Sequence, residues 1–294
     1  MSGKVRKKEL LMKIIRAKIM GFCSGVRRAV QMAYSLAQQG PITLFGPLVH
    51  NQQVLAQLQA LGAEICQDPS QIRTRRVLTT AHGLSYPRRL DLERRGLEII
   101  DTTCPLVYRV HQAIARFLRM GLQPLLFGER GHSEAQAVLE NYPATLLVST
   151  LSDIQNLPPL NRIGIACQTT MTETRVAQLF QAIRARFPKA EIRLEDTICG
   201  ATKQRQRSAI AIARQSDVVV VVGGRQSKNT RELVETCRQY CPRVLHIESA
   251  KELHPDLFEG AKVVGLTAGA STPEESIQEV ENWLQTLSMR TLVH

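Results

Sequence analysis

The sequence predicts an α/β protein made of three copies of one strand-and-helix unit. Three observations carry that expectation. Three β-favouring stretches each end at a cysteine: "MKIIRAKIMGF" before Cys23, "LEIIDTT" before Cys104 and "AEIRLEDTI" before Cys199. Three others, "PITLFGPLVHN", "LQPLLFGERGHSE" and "DVVVVVGGRQSKN", read as buried strands ending at a glycine, with His50, His132 or Ser227 four residues further on. From cysteine to glycine the spacing is 23, 24 and 24 residues, and near-constant spacing over three occurrences marks an internal repeat.

The elements follow in order from these anchors. After Cys23, the residues Val26, Ala29, Val30, Ala33 and Leu36 recur at helical spacing, as do Val107, Val110, Ile114 and Phe117 after Cys104. The stretch after Cys199, "GATKQRQRSAIAIARQ", is helix-compatible too, so each cysteine closes a strand and opens a helix. Each copy then runs through a helix to a short strand, "AEI", "TLLV" or "RVLHI". A last strand follows, "RVLTTAHG", "RIGIACQTT" or "KVVGLTAGAST", ending in small and polar residues. The expected domains are 12–103, 104–198 and 199–288. A short basic N-terminal extension and a C-terminal helix are left over.

Composition narrows the setting. A chain of 294 residues with 44% apolar content can bury a sizeable core. No apolar run reaches membrane-spanning length, and "MSGKVRKKELL" lacks a secretory apolar segment, so the expected location is cytoplasmic, with no membrane partner. Seven irregularly spaced cysteines point to reduced thiols, some of them metal ligands, rather than a disulfide framework. The net charge of +12 favours anionic partners without saying which.

In parallel α/β sheets, ligands bind beyond the carboxyl ends of the strands. Those ends carry Cys23, Cys104, Cys199, His50, His82, His132, Glu134, Thr169, Ser227, Asn229 and Ser271. Around a pseudo-threefold axis the three cysteines converge, each at a helix N-terminus where the dipole lowers a thiol's pKa. Three thiolates suggest a metal centre with one open position, either zinc or an iron-sulfur cluster, and spacing alone does not choose between them. The surrounding imidazoles, hydroxyls and amide suit a phosphate group, each charge-assisted bond contributing roughly 1.5 to 3 kcal/mol. Glu134 does not fit as a phosphate ligand. A carboxyl group beside an anion pocket has a raised pKa and can deliver a proton.

Together "GFCSGVRRAV", "LVHN", "TAHG", "DTTCPLV", "GHSE", "QTT", "DTICGATKQRQ", "SKNTREL" and "TAGASTP" resemble the LytB-type 4-hydroxy-3-methylbut-2-enyl diphosphate reductases of the methylerythritol phosphate route to isoprenoids. The likeness runs in order from about Met12 to about Leu287. It implies a trefoil of three α/β domains around one [4Fe-4S] cluster per subunit, held by Cys23, Cys104 and Cys199. It further implies diphosphate binding by His50, His82, His132, Ser227, Asn229 and Ser271, with Thr169 near the substrate hydroxyl and Glu134 supplying protons. The implied reaction is a reductive dehydroxylation giving isopentenyl and dimethylallyl diphosphate. Reduced ferredoxin or flavodoxin is the implied electron donor, and the chain is expected as a monomer or weak homodimer. Three positions depart from the family's usual pattern: Ser133 where proline is common, Gly200 where a bulkier residue is common, and Lys228 where a small one is, read here as solvent-facing.

The remaining candidates read as structural. Cys66 and Cys167 are taken as packing thiols, and Cys237 with Cys241 as a structural pair on one helix face. His111, His246, His254 and His294 lie away from the strand ends and are read as solvated or locally bonded. The basic runs "QIRTRRVL" and "PRRLDLERRG" lack interleaved aromatics and read as solvated faces rather than a nucleic-acid surface. Two other classes compete with the reductase: a zinc-dependent hydrolase of a phosphorylated metabolite, and a basic nucleic-acid-binding protein with a structural metal.

Overall fold

The computed structural model describes residues 12–290; the N-terminal extension and His294 lie outside the described residues. The chain opens with β1 (Lys13–Arg16), α1 (Ser24–Gln38), β2 (Ile42–Phe45), α2 (Gln52–Ala60), β3 (Ala63–Cys66), β4 (Arg76–Leu78), α3 (Tyr86–Arg94) and β5 (Glu98–Ile100). It continues with α4 (Pro105–Arg119), β6 (Gln123–Phe127), α5 (Ser133–Asn141), β7 (Leu146–Val148), α6 (Leu151–Gln155), β8 (Arg162–Cys167), α7 (Glu173–Arg186) and β9 (Glu191–Glu195). The remainder is α8 (Gly200–Ala213), β10 (Val218–Val222), α9 (Lys228–Arg238), β11 (Val244–Ile247), β12 (Val263–Ala268) and α10 (Glu274–Arg290). These elements fall into two compact units: Cys23–Lys203, and residues 12–22 together with residues 204–290.

The Cys23–Lys203 unit holds two parallel four-stranded sheets, ordered β3-β2-β4-β5 and β7-β6-β8-β9. Their central strands are apolar without alternation, as strands covered on both faces by crossover helices must be. Ile42 and Leu44 of β2 and Leu125, Leu126 and Phe127 of β6 are essentially inaccessible. The periodicity expected after Cys104 is realised in α4, which buries Val107, Val110, Ile114 and Phe117. Phe117 lies so close to Gly164 of β8 that a Cβ there would meet its ring at 2.3 Å. The helix and sheet are thus seated on a residue without a side chain.

The other unit holds one parallel sheet, ordered β11-β10-β12-β1. Its core joins Val218, Val220 and Val222 of β10 to Val264 and Leu266 of β12 and to Ile277, Val280 and Leu284 of α10. The register pairs Ile14 with Val264 and Val220 with Leu266. In the first copy β4, α3 and β5 follow one another, and in the second β8, α7 and β9 do. In the third, β12 is followed by α10, and the place of the fourth strand is taken by β1 from the opposite end of the sequence. The C-terminal helix is therefore not left over; it is the third copy's counterpart of α3 and α7. The expected span 12–103 likewise contains one strand of the third sheet.

Candidate active site

Each copy places its cysteine directly before a helix. Three residues, Asp101–Thr103 or Asp196–Ile198, separate the fourth strand from the thiol in the second and third copies, and six separate β1 from Cys23. Cys23 caps α1 and Cys104 caps α4, both with extended backbone. Threonines fix two of the turns. Thr102 donates its hydroxyl to the Thr79 carbonyl at 2.5 Å, while its N–H donates to the Thr79 hydroxyl at 2.9 Å. Thr197 repeats the device: it donates to the Cys167 carbonyl at 2.5 Å and accepts the Cys167 N–H at 2.7 Å. Asp101 and Asp196, just before these threonines, accept the N–H groups of Thr103 and Ile198. The shared "DTTC" and "DTIC" are the sequence signal for this scaffold.

The backbone then ties the cysteines to the strand ends that carry the other polar groups. Cys104 donates its N–H to the Ala81 carbonyl at 3.0 Å, beside His82, and Cys199 donates to the Thr169 carbonyl at 3.0 Å. All seven cysteines are free thiols. Burial pushes the Cys104 thiol up, opposed by the N–H groups of Leu106 and Val107 and reinforced by the neighbouring Cys23 and Cys199. The lowered pKa expected from the helix N-terminus is thus not met at Cys104, because the desolvation of the thiolate outweighs the N–H groups of Leu106 and Val107. Gly25, overlooked in the sequence, lets α1 approach: a Cβ there would lie 2.6 Å from the Cys104 sulfur.

Cys104, with Cys23 and Cys199 both in electrostatic range of it, completes a fitting donor set for an iron-sulfur cluster, in which each thiolate takes its own iron. A single zinc ion needs its ligands drawn onto one point, and among the described residues no three His, Cys, Asp or Glu side chains are so placed. Coordination would itself drive off the thiol protons.

The imidazoles form a row. The His82 ring lies 6.0 Å from that of His50 and 5.1 Å, edge to face, from that of His132. Burial first, then the adjacent His132 and His50, push the His82 pKa down to about 3. His132 caps α5, accepting the Glu134 N–H at 3.2 Å. Glu134 sits in the first turn of that helix, fully buried. One oxygen accepts the Thr169 N–H at 2.8 Å and the other the Thr169 hydroxyl at 2.7 Å. Burial pushes this carboxyl up to about 7 against those two bonds. Ser133 changes nothing in that arrangement, since it occupies the first helical position, where proline is merely one acceptable residue. Gln168, a second residue missed in the sequence, is buried and braces the loop, accepting the Glu129 N–H at 2.8 Å and donating to Thr170 at 2.8 Å.

In the other unit, Ser227 caps α9 and lies 3.4 Å from the Ser271 hydroxyl, and Asn229 accepts the Ala270 N–H at 2.9 Å. Lys228 is not solvent-facing as expected. It is largely buried and paired with Glu232 at 2.5 Å. Most of the remaining structural readings match the surroundings, but Cys241 lies past the end of α9, so it and Cys237 do not share a helix face. Cys167 and Cys237 are buried thiols with pKa values pushed up to about 12, and Cys241 donates to the carbonyls of Ser216 and Arg243. His111 bonds Asn141 and His246 bonds the Gly223 carbonyl, while His254 is exposed. Of the arginines in the basic runs, Arg88 pairs with Glu140, Arg89 with Glu93 and Arg95 with Asp91, while Arg73, Arg75 and Arg94 are exposed. No helix among the described residues is long and apolar enough to cross a membrane.

Residues 14–285 match the family model described as LytB protein. A 4-hydroxy-3-methylbut-2-enyl diphosphate reductase of Geobacter sulfurreducens is 36% identical over 276 residues, covering 93% of this chain and 97% of that relative. A solved E-1-hydroxy-2-methyl-but-2-enyl-4-diphosphate reductase from Plasmodium falciparum superposes with a TM-score of 0.87 at 28% identity, covering 92% of this chain and 87% of that one. A second, titled as the terminal enzyme of the non-mevalonate pathway, gives 0.69 at 36% identity, covering 94% and 99%. With the model match spanning nearly its whole length, the chain belongs to the LytB family.

Proposed function

We propose that this protein is a 4-hydroxy-3-methylbut-2-enyl diphosphate reductase, acting at the end of the non-mevalonate pathway to isoprenoids. The observation that carries the reading is the buried Glu134 carboxyl held by Thr169 on the strand loop that also receives Cys199. The reaction breaks the substrate's C–O bond with two electrons and two protons, releasing water and giving isopentenyl or dimethylallyl diphosphate. A [4Fe-4S] cluster on Cys23, Cys104 and Cys199, one per subunit, would supply one-electron transfer and a Lewis-acidic iron.

The chain's own residues supply the rest. With a pKa of about 7, Glu134 is close to half protonated at neutral pH, the condition for an efficient general acid. Thr169 fixes both carboxyl oxygens and presents its hydroxyl beside them, the position from which it orients the substrate hydroxyl. His50, His82 and His132 offer ring N–H donors to the diphosphate, and a neutral, buried His82 gains most from an anion brought beside it. Ser227, Asn229 and Ser271, at the equivalent strand ends of the third copy, complete the donor set in this proposal. Reduced ferredoxin or flavodoxin is the proposed donor, the cytoplasm the proposed compartment, and a monomer or weak homodimer the proposed state; seven free thiols suit a reducing compartment.

The test is anaerobic reconstitution followed by turnover of the hydroxylated diphosphate with reduced methyl viologen. A protein with about four irons and four sulfides that forms both products supports the reading. A reconstituted cluster without turnover overturns it.

A further inference from the structure

The threefold repeat has one electrostatic break. Three residues before the second and third cysteines stand Asp101 and Asp196; four residues after them stand Tyr108 and Lys203. Asp101 accepts a hydrogen bond from the Tyr108 hydroxyl, and Asp196 pairs with Lys203, which also reaches Glu173 at 3.8 Å. In the first copy the acid's position is taken by Met20 and its partner's by Arg27.

Arg27, its neighbour Arg28, and Arg109 on α4 are all exposed. Among the described residues none of the three is paired with a carboxylate. They differ in this from Arg88, Arg89 and Arg95, whose charges are spent on Glu140, Glu93 and Asp91. All three lie four or five residues beyond an N-cap cysteine, about 6 to 8 Å along the helix axis from it. The two helix openings adjoin, because Gly25 of α1 lies against the Cys104 sulfur. Tyr108, 44% exposed, adds an aromatic ring to the same turn of α4. The first turns of α1 and α4 contain no acidic residue.

We propose that Arg27, Arg28 and Arg109, with Tyr108, form the docking surface for an acidic one-electron carrier protein. This rests on the reductase reading, which requires electrons to arrive one at a time at the thiol site. Unpaired cations close to the cysteines raise the encounter rate of an acidic partner by roughly 10- to 1,000-fold at low salt, an effect that salt screening removes. A carrier seated there comes within one or two helical turns of the cysteines.

The experiment uses the cluster-loaded protein and a plant-type [2Fe-2S] ferredoxin of net negative charge. Ferredoxin affinity is measured by titration calorimetry across salt concentrations, and turnover is measured separately with methyl viologen, which needs no docking surface. The variant R27E/R28E/R109E is expected to bind ferredoxin at least about tenfold more weakly at low salt, with a flatter salt dependence and unchanged methyl viologen turnover. R27Q/R28Q/R109Q should show the same change in smaller measure and guards against misfolding of the charge-reversed protein. R73E/R75E/R94E, which reverses three exposed arginines elsewhere, should keep more of its affinity than R27E/R28E/R109E does. Equal ferredoxin affinity in wild type and R27E/R28E/R109E overturns the proposal, as does an equal loss in R73E/R75E/R94E. Wild-type protein that binds ferredoxin but turns over nothing with either donor overturns the reductase reading and leaves the docking surface standing.

Discussion

Glu134 accepts both hydrogen bonds that Thr169 can donate, the N–H on one carboxyl oxygen and the hydroxyl on the other. The two residues belong to different elements, the first turn of α5 and the loop after β8, so the bond closes the site across the second sheet. It also sets the proton affinity of the acid. Burial raises the carboxyl, and each Thr169 bond to the charged form lowers it.

Removing the acid should stop proton delivery while leaving the rest of the site. Glu134→Gln is expected to lower kcat about 100-fold or more, with iron content and substrate affinity retained. Thr169→Val removes one of the bonds that lower the pKa, so the Glu134-dependent limb of the pH–rate profile should move to higher pH. Near-normal turnover in Glu134→Gln would remove this residue from the proton path.

Stability should respond to pH through two opposed groups. The raised Glu134 pKa means that the native state holds its proton longer than the unfolded chain, so this contribution is present below about 4.5 and is lost as pH rises through about 7. His82 does the reverse: its pKa, lowered from 6.5 to about 3, gives stability that is present above 6.5 and is lost as pH falls toward 3. Between about 4.5 and 6.5 the two slopes oppose each other. Glu134→Gln should unmask the His82 slope, about 1.4 kcal/mol per pH unit, in urea unfolding of the cluster-free protein at pH 5 and pH 6. A difference between wild type and variant that does not change between those pH values would contradict the buried, neutral state of Glu134.

Cys104→Ser should yield protein whose cluster is depleted or labile in air, read from iron and sulfide content after anaerobic purification. Its serine oxygen stays at the α4 N-cap, so the helix itself is expected to form. An intact and fully active cluster would sink the three-thiolate assignment.

Two glycines near the cysteines should behave oppositely. Gly25→Ala places a methyl group 2.6 Å from the Cys104 sulfur and is expected to cost about 1 to 3 kcal/mol, or to displace that thiol and weaken cluster retention. At Gly200 nothing lies within 4 Å of an added Cβ, and the residue already begins a helix. Gly200→Ala should therefore stabilise by roughly 0.4 to 1 kcal/mol, measured as a shift in the urea midpoint.

The repeat was legible because it is written in local chemistry. A buried parallel strand such as Val218–Val222 has no polar alternation, and a strand-to-helix junction at each cysteine shows in the change of hydrophobic period. Which sheet a strand joins is not local information. Nothing in "KIIR" distinguishes an edge next to β4 from one next to β12, since either would bury Ile14 or Ile15; the pairing with Val263–Leu266 depends on residues some 250 positions away. The site divides in the same manner. Its residue types stood out at strand ends, whereas the Glu134–Thr169 bond, the Gly25 contact and the pairing of Lys228 with Glu232 arise only when separate elements pack or a helix turns.

The pairing of β1 with β12 also fixes an order of events during synthesis. Lys13–Arg16 leaves the ribosome some 250 residues ahead of its partner Val263–Leu266. At roughly 5 to 20 residues per second, the early strand waits some tens of seconds with an unpaired edge, while both sheets of the Cys23–Lys203 unit can already have formed. The lysine and arginine that end "KIIR" keep that waiting segment charged and poorly suited to pairing with another chain. Completion of the third sheet therefore requires that the whole stretch between its two ends, both sheets of the Cys23–Lys203 unit included, has already been made.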